Sequence, residues 1–374
     1  MNASRNSLRW LPAVIVPAVV VVGAIAIPLQ AGAAVNLPDK SAAEVLLMVS
    51  DSTVTSFSGT VEQTSDLGLP EIDLGSVGSS SGPAGGGPSA DMLATALEFA
   101  SGSHTSRVFV DGPENIRVQV KDPLAERNAV SNGTDAWFYD SETDVATHLA
   151  IPADAKASVE EKVSALEARI PADLTPAKVA DQLLANLAPS TTVSVGTDGS
   201  VAGRSVYELI LTPKTADTLV ESVAISVDSE TGMPLRVTVL AVGQEAPAAQ
   251  VGFSSIDFSA PSADLFDFVP PAGATVEEQK IPTAVDAQGK ASGEREAREA
   301  GEPIVTGTGW STIVEIPAGV VPAEVISNPL VGQLAVDVDG GKLLSTSLVN
   351  VLLTTDGRAF AGSVPVALLQ AAAQ

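Results

Sequence analysis

The chain has no cysteine, which removes disulfides, thiol nucleophiles, thiolate metal sites and a lipidated N-terminal cysteine. It has two histidines, His104 and His148. Neither stands in an H-E-x-x-H spacing or beside a second candidate ligand, so both read as strand-end residues at a sheet rim and no metal is expected. Aromatics make up 4% of the residues, so the core must be aliphatic, built from Val, Leu, Ile and Ala. Basic residues are scarce: 20 Lys and Arg stand against 45 Asp and Glu, a formal net charge of -25. Phosphate neutralisation needs clustered cations, which excludes nucleic acid as a partner. The same charge repels anionic head groups from the body of the protein, while an uncharged cavity remains free to take up acyl chains.

With 374 residues, 45% of them hydrophobic, the chain can bury a sizeable core in one large domain or two ordinary ones. Arg5 and Arg9 precede the apolar run "WLPAVIVPAVVVVGAIAIPL", Trp10 to Leu29, which has the roughly 20-residue length of a membrane span. Ala31-Gly32-Ala33 after it fits a small-residue cleavage signal. Residues 1–34 therefore read either as a signal peptide or as an uncleaved membrane anchor. Both place the chain from about Val35 onward outside the cytoplasm, because the positive charges stay inside.

Helical and alternating periods then take turns. "SAAEVLLMVSDS" opens on a capping box, Ser41 and Glu44, predicting a helix over 42–50. "SVGSSSGPAGGGPS", 76–89, reads as a flexible insertion, and "ADMLATALEFAS" as a second helix. Val108 and Val110 alternate in "SRVFV", and Ile116, Val118 and Val120 in "IRVQV". With the Asn132-Gly133 turn and "VATHLAI", these segments predict a four-stranded antiparallel meander. "SVEEKVSALEARI" and "TPAKVADQLLANL" read as helices, the latter with Leu183 and Leu187 on its apolar stripe. Alternation resumes at Leu209 and Leu211, at Val223, Ile225 and Val227, and at Leu235, Val237 and Val239. A phase slip between Phe253 and Ile256 predicts a bulge. The fold class is therefore α+β: a curved antiparallel sheet with helices over its apolar side.

Chemistry-bearing motifs are missing. Gly78-Ser79-Ser80-Ser81-Gly82 matches a nucleophile elbow in letters but lies in low-complexity sequence rather than between strand and helix. The acidic turns "DGPEN", "DSETD", "DSETG" and "DVDGG" lack the calcium-loop pattern and read as solvated hairpin tips. No catalytic residue and no cofactor is expected.

Four stretches, "SFSGTVEQTSDLGLP", "SGSHTSRVFVDGPENIRVQV", "NGTDAWFYDSETDVATHL" and "PLRVTVLAVGQEAPAAQVGFSSIDFSAPSADLFDFVPP", together resemble actinobacterial members of the LolA-like superfamily, the outer-membrane lipoprotein carriers with their LppX and RseB relatives. The resemblance spans about Pro38 to Ala274. It implies a half-barrel with helices over its concave face and a cavity for acyl chains. Its lipid-binding lining would be Val108, Val110, Ile116, Val118, Val120, Leu183, Leu187, Leu209, Leu211, Val223, Ile225, Val227, Leu235, Val237 and Val239. The expected organisation is a leader over 1–34, a half-barrel domain over 35–278, a linker over 279–303, read from its charged, apolar-poor sequence, and a small C-terminal α+β unit over 304–374, an addition to the family pattern. Three functions follow as alternatives: a lipid or lipoprotein carrier, an RseB-like sensor regulating an anti-sigma factor, or a structural envelope protein. The implied partners are acyl chains, the membrane through an uncleaved leader, and an envelope protein.

Overall fold

The computed structural model describes residues 35–69, 102–121, 125–152, 176–280, 302–321 and 329–374. The predicted leader, the insertion at 76–89, the helices predicted over 90–101 and 158–170, and most of the predicted linker lie outside the described residues.

Helix α1 (Ala42–Ser50) starts on the predicted capping box: Ser41 Oγ accepts from the Glu44 amide at 3.3 Å, and Glu44 Oε2 accepts from the Ser41 amide at 2.7 Å. Strand β1 (Ser56–Ser65) follows. The meander has five strands rather than four: β2 (Gly102–Asp111), β3 (Asn115–Lys121), β4 (Glu126–Asn132), β5 (Asp135–Asp140) and β6 (Val145–Ala150). The predicted Asn132-Gly133 turn joins β4 and β5 as a hairpin, which with the neighbouring segments makes five strands. Helix α2 (Pro176–Leu187) leads to β7 (Thr191–Val195), the short β8 (Gly199–Val201), β9 (Arg204–Pro213), β10 (Val220–Asp228), β11 (Pro234–Ala241) and β12 (Ala249–Asp257). A 3-10 turn at Ala263–Phe266 and β13 (Thr275–Lys280) complete this unit.

These strands form one sheet in the order β13-β6-β5-β4-β3-β2-β1-β12-β11-β10-β9-β7, with β8 paired to β9. The path ends at β13 and at β7 without joining them, so the sheet is curved but not closed. Pairing is antiparallel except that β13 runs parallel to β6. β13 also moves the predicted linker boundary, because Gln279 and Lys280 belong to a strand. Its sequence, TVEEQK, has a single apolar residue and therefore no alternation to read.

The phase slip falls where predicted. Val61 opposes Phe253 and Thr60 opposes Ser255, leaving Ser254 as the extra residue of a bulge. Gly59 makes the bend possible, since a Cβ there would stand 2.5 Å from the Ser255 carbonyl oxygen and 2.8 Å from the Phe253 ring. Gly59→Ala is expected to destabilise the protein by about 1–3 kcal/mol through overpacking, read as a lower urea midpoint. Gly232, at φ +72° in the β10–β11 turn, lets that hairpin approach the carbonyl of Met48 in α1.

The C-terminal unit contains β14 (Ile304–Thr306), a 3-10 turn at Gly309–Ser311, β15 (Ile313–Ile316), α3 (Pro329–Leu334), β16 (Val336–Val338), β17 (Gly341–Ser345), β18 (Asn350–Thr354), β19 (Ala359–Gly362) and α4 (Val366–Ala372). Its sheet runs β14-β15-β19-β18-β17-β16. A hairpin turned at Asp356-Gly357 joins β18 to β19, and α4 ends the unit. This unit docks on the large sheet. Trp310 and Leu348 are buried with Val220, Val223 and Val239, Trp310 Nε1 donates to Thr191 Oγ1 at 2.8 Å, and the Leu219 amide donates to the Ser363 carbonyl at 2.8 Å.

Candidate functional site

Opposed residues on neighbouring strands point to the same side of a sheet, so the register sorts side chains into rows. One row runs Gly59, Val108, Val118, Ala129, Phe138. The next runs Phe57, Val110, Ile116. A third, Val61, Ser106, Val120, ends on Arg127 and Asp140, an ion pair at 3.6 Å. Beyond the bulge the same face carries Phe253, edge-to-face with Phe57 at 5.9 Å. It continues through Val251, Val237, Ile225 and Leu209, and through Ala249, Val239, Val223 and Leu211.

The two halves of this face differ in what covers them. Over β9 and β10, α1 packs Val45, Leu46, Met48 and Val49 against Tyr207, Leu209 and Val227, while the C-terminal unit closes over Val223 and Val239. Leu209, Val223, Val227 and Val239 are consequently buried, and Leu211, Ile225 and Val237 pack at their margin. Leu183 and Leu187 are half-buried on α2, which lies beside α1. Leu235 leaves the group: the register shift after Ser226 puts Pro234 opposite Val227, and Leu235 is buried with Val201 and Val206. Over β1 to β5 the face is half-open. Ile116 is 39% and Phe138 48% exposed, and Val108, Val110, Val118 and Val120 are half-buried. Gln63 and His104, opposed across β1 and β2, lie buried between the halves. His104 is therefore an interior residue rather than the rim residue expected.

Phe57, Phe138 and Phe253 belong to this face and were missed in the sequence. Trp137, Phe138 and Tyr139 are consecutive aromatics, and a run without alternation does not say which ring points inward. Pairing with Ala129 decides it for Phe138.

The opposite face is polar and aromatic. Arg117 donates to Asn128 Oδ1 through Nε and Nη2, at 3.2 and 3.1 Å, and to the Leu265 carbonyl at 3.0 Å, holding the 3-10 turn over β3 and β4. Trp137 stacks on His148 at 4.1 Å and meets Phe268 at 5.5 Å. Further along, burial raises the Glu208 carboxyl and lowers the Arg236 guanidinium, on a row that they share with Ser226 and Gly252. Among the acidic turns, Asp228 departs from the expectation of a solvated tip: it is fully buried and paired with Arg204. Among the described residues no group of three or more His, Asp or Glu could hold a metal ion, and no helix is long and apolar enough to cross a membrane. What the half-open face offers is apolar contact over five strands.

Among solved structures the chain is similar to the Pseudomonas aeruginosa MucA/MucB complex at 13% identity, covering 89% of this chain and 96% of that one with a TM-score of 0.41. It is also similar to a LolA superfamily protein from Nitrosomonas europaea, at 12% identity, 62% and 99% coverage and TM-score 0.23. A third is a putative outer membrane lipoprotein-sorting protein domain from Vibrio parahaemolyticus, at 10% identity, 60% and 95% coverage and TM-score 0.22. None of the curated proteins matches the sequence. The family model described as "Predicted periplasmic protein (DUF2092)" matches residues 89–277, just over half of the chain, and the protein belongs to that family.

Proposed function

We propose that this extracytoplasmic protein is a non-enzymatic binder of acyl chains, which lie along the rows of Val108, Val118 and Phe138 and of Phe57, Val110 and Ile116. The reading rests on the contrast within one face: Ile116 and Phe138 stay exposed and their apolar neighbours half-buried over β1 to β5, while the same face is sealed over β9 and β10. Contiguous exposed apolar surface marks interaction sites. Each buried CH₂ contributes about 0.8 kcal/mol, so a long acyl chain gains on the order of 10 kcal/mol before the entropic costs of binding. Only apolar contact is required of the face.

The test is Phe138→Asp. Its ring is half-exposed, so folding should survive, whereas a charge on the apolar row costs a bound chain dearly. Native mass spectrometry of the wild type should show co-purified lipid, or take-up of an added long-chain fatty acid. The variant should lose it with little change in melting temperature. A wild type that neither carries nor takes up lipid would overturn the proposal.

A further inference from the structure

On the polar face, β5, β6 and β13 hold a histidine between two carboxylates. His148 Nε2 lies 2.8 Å from Asp135 Oδ1, and Nδ1 lies 2.8 Å from Glu278 Oε2. A neutral imidazole has one N–H, so it can donate to one of these carboxylates while its lone pair faces the other; an imidazolium donates to both. Stacking on Trp137, at 4.1 Å with 19° between the planes, holds the ring in line with both acceptors. Asp135 is itself oriented by Thr134 Oγ1, which donates at 2.7 Å.

β13 is an edge strand of this sheet. It pairs with one neighbour, β6, in the sheet's parallel pairing, the slightly weaker of the two geometries. It carries Glu277, Glu278 and Lys280, and exposes Val276. Its start is tied down by the Thr275 amide donating to the Asp144 carbonyl at 2.9 Å. Further along, Glu278 stands directly opposite His148 of β6 and meets its ring.

We propose that His148 is a pH-operated latch for the edge strand β13. In its imidazolium form it bonds Glu278 of β13 and Asp135 of β5 together, and on losing the proton it releases one of them, loosening β13 from β6. The charged groups acting on the ring are Asp135 from β5 and Glu278 from β13; Trp137 brings apolar cover without charge. The Asp135 bond, against the effect of burial and with help from Glu278, holds the imidazolium above the ordinary histidine range. A raised folded value means that the latch contributes fully below the unfolded histidine pKa, about 6.5, and is lost as pH rises through the folded value.

The measurement is hydrogen–deuterium exchange of the full-length chain at about pH 5 and about pH 8.5, either side of the ordinary histidine range, with rates corrected for intrinsic exchange. Protection of 275–280 should fall at the higher pH while that of β2 and β3 holds. His148→Gln should remove this difference. Glu278→Gln alters an exposed carboxylate and tests the latch even where His148→Gln fails to fold. It should move the His148 ring titration, followed by NMR, to lower pH, with His104 as the one other histidine signal. Equal corrected protection of β13 at both pH values in the wild type, or a His148 titration unmoved by Glu278→Gln, would overturn the latch.

Discussion

Arg204→Ala is expected to cost about 3–5 kcal/mol of stability, because it strands a buried charge. Asp228 is fully buried at the end of β10. Arg204 meets both of its oxygens, through Nε to Oδ2 and through Nη2 to Oδ1 at 3.0 Å. The Thr231 amide and hydroxyl also donate to Asp228, at 2.7 and 2.8 Å, closing the β10–β11 turn. Glu230, on the other side of Arg204, is exposed and adds little. Removing the guanidinium leaves the carboxylate without its counter-charge. Asp228→Asn needs no counter-charge and keeps an acceptor for Thr231, so the double variant should lose less than the sum of the single ones, as urea denaturation of all four proteins would show. Burial pushes the Asp228 carboxyl up, but Arg204 and Thr231 outweigh it and hold it below the ordinary carboxylate range. The stabilisation is then present above that range and is lost as pH falls through the folded value. Wild type should lose more stability on acidification than Arg204→Ala does; equal acid sensitivity would count against the pair as its source.

Trp310→Ala should be similarly severe, at about 3–5 kcal/mol, since it empties the largest side chain in the joint between the two sheets. Trp310 is buried beside Val220, Val223, Val239 and Leu348, and its Nε1 donates to the buried Thr191 hydroxyl. Trp310→Phe keeps most of the apolar contact and forfeits the hydrogen bond, for a smaller cost of about 1–3 kcal/mol. Thermal unfolding of the three proteins should therefore rank wild type, Phe, Ala. An Ala variant melting with the wild type would mean that the C-terminal unit adds nothing to the stability of the large sheet.

Some elements were plain in the sequence because their signals are local. The Ser41 and Glu44 box starts α1 by bonding within one turn, and the slip from Phe253 to Ile256 marks the bulge within four residues. Elements whose partners are distant were illegible. β13 has one apolar residue, and its strand character comes from pairing with β6, more than a hundred residues earlier. His148 read as a solitary rim histidine because Asp135 and Glu278 lie 13 and 130 residues away. Asp228 looked like any hairpin tip until Arg204 was placed beside it.

For the apolar face the division is the same. Alternation in β2, β3, β9, β10 and β11 by itself determined that Val108, Val110, Val118, Val223, Ile225 and Val237 share one side of their strands, because side-chain direction has a period of two along an extended chain. Which part of that side is sealed and which stays open was decided by tertiary structure alone. α1, Trp310 and Leu348 cover the β9–β10 half, leaving Ile116 and Phe138 exposed on the other. Burial depends on what a chain folds back against, and no pattern within a single strand records that.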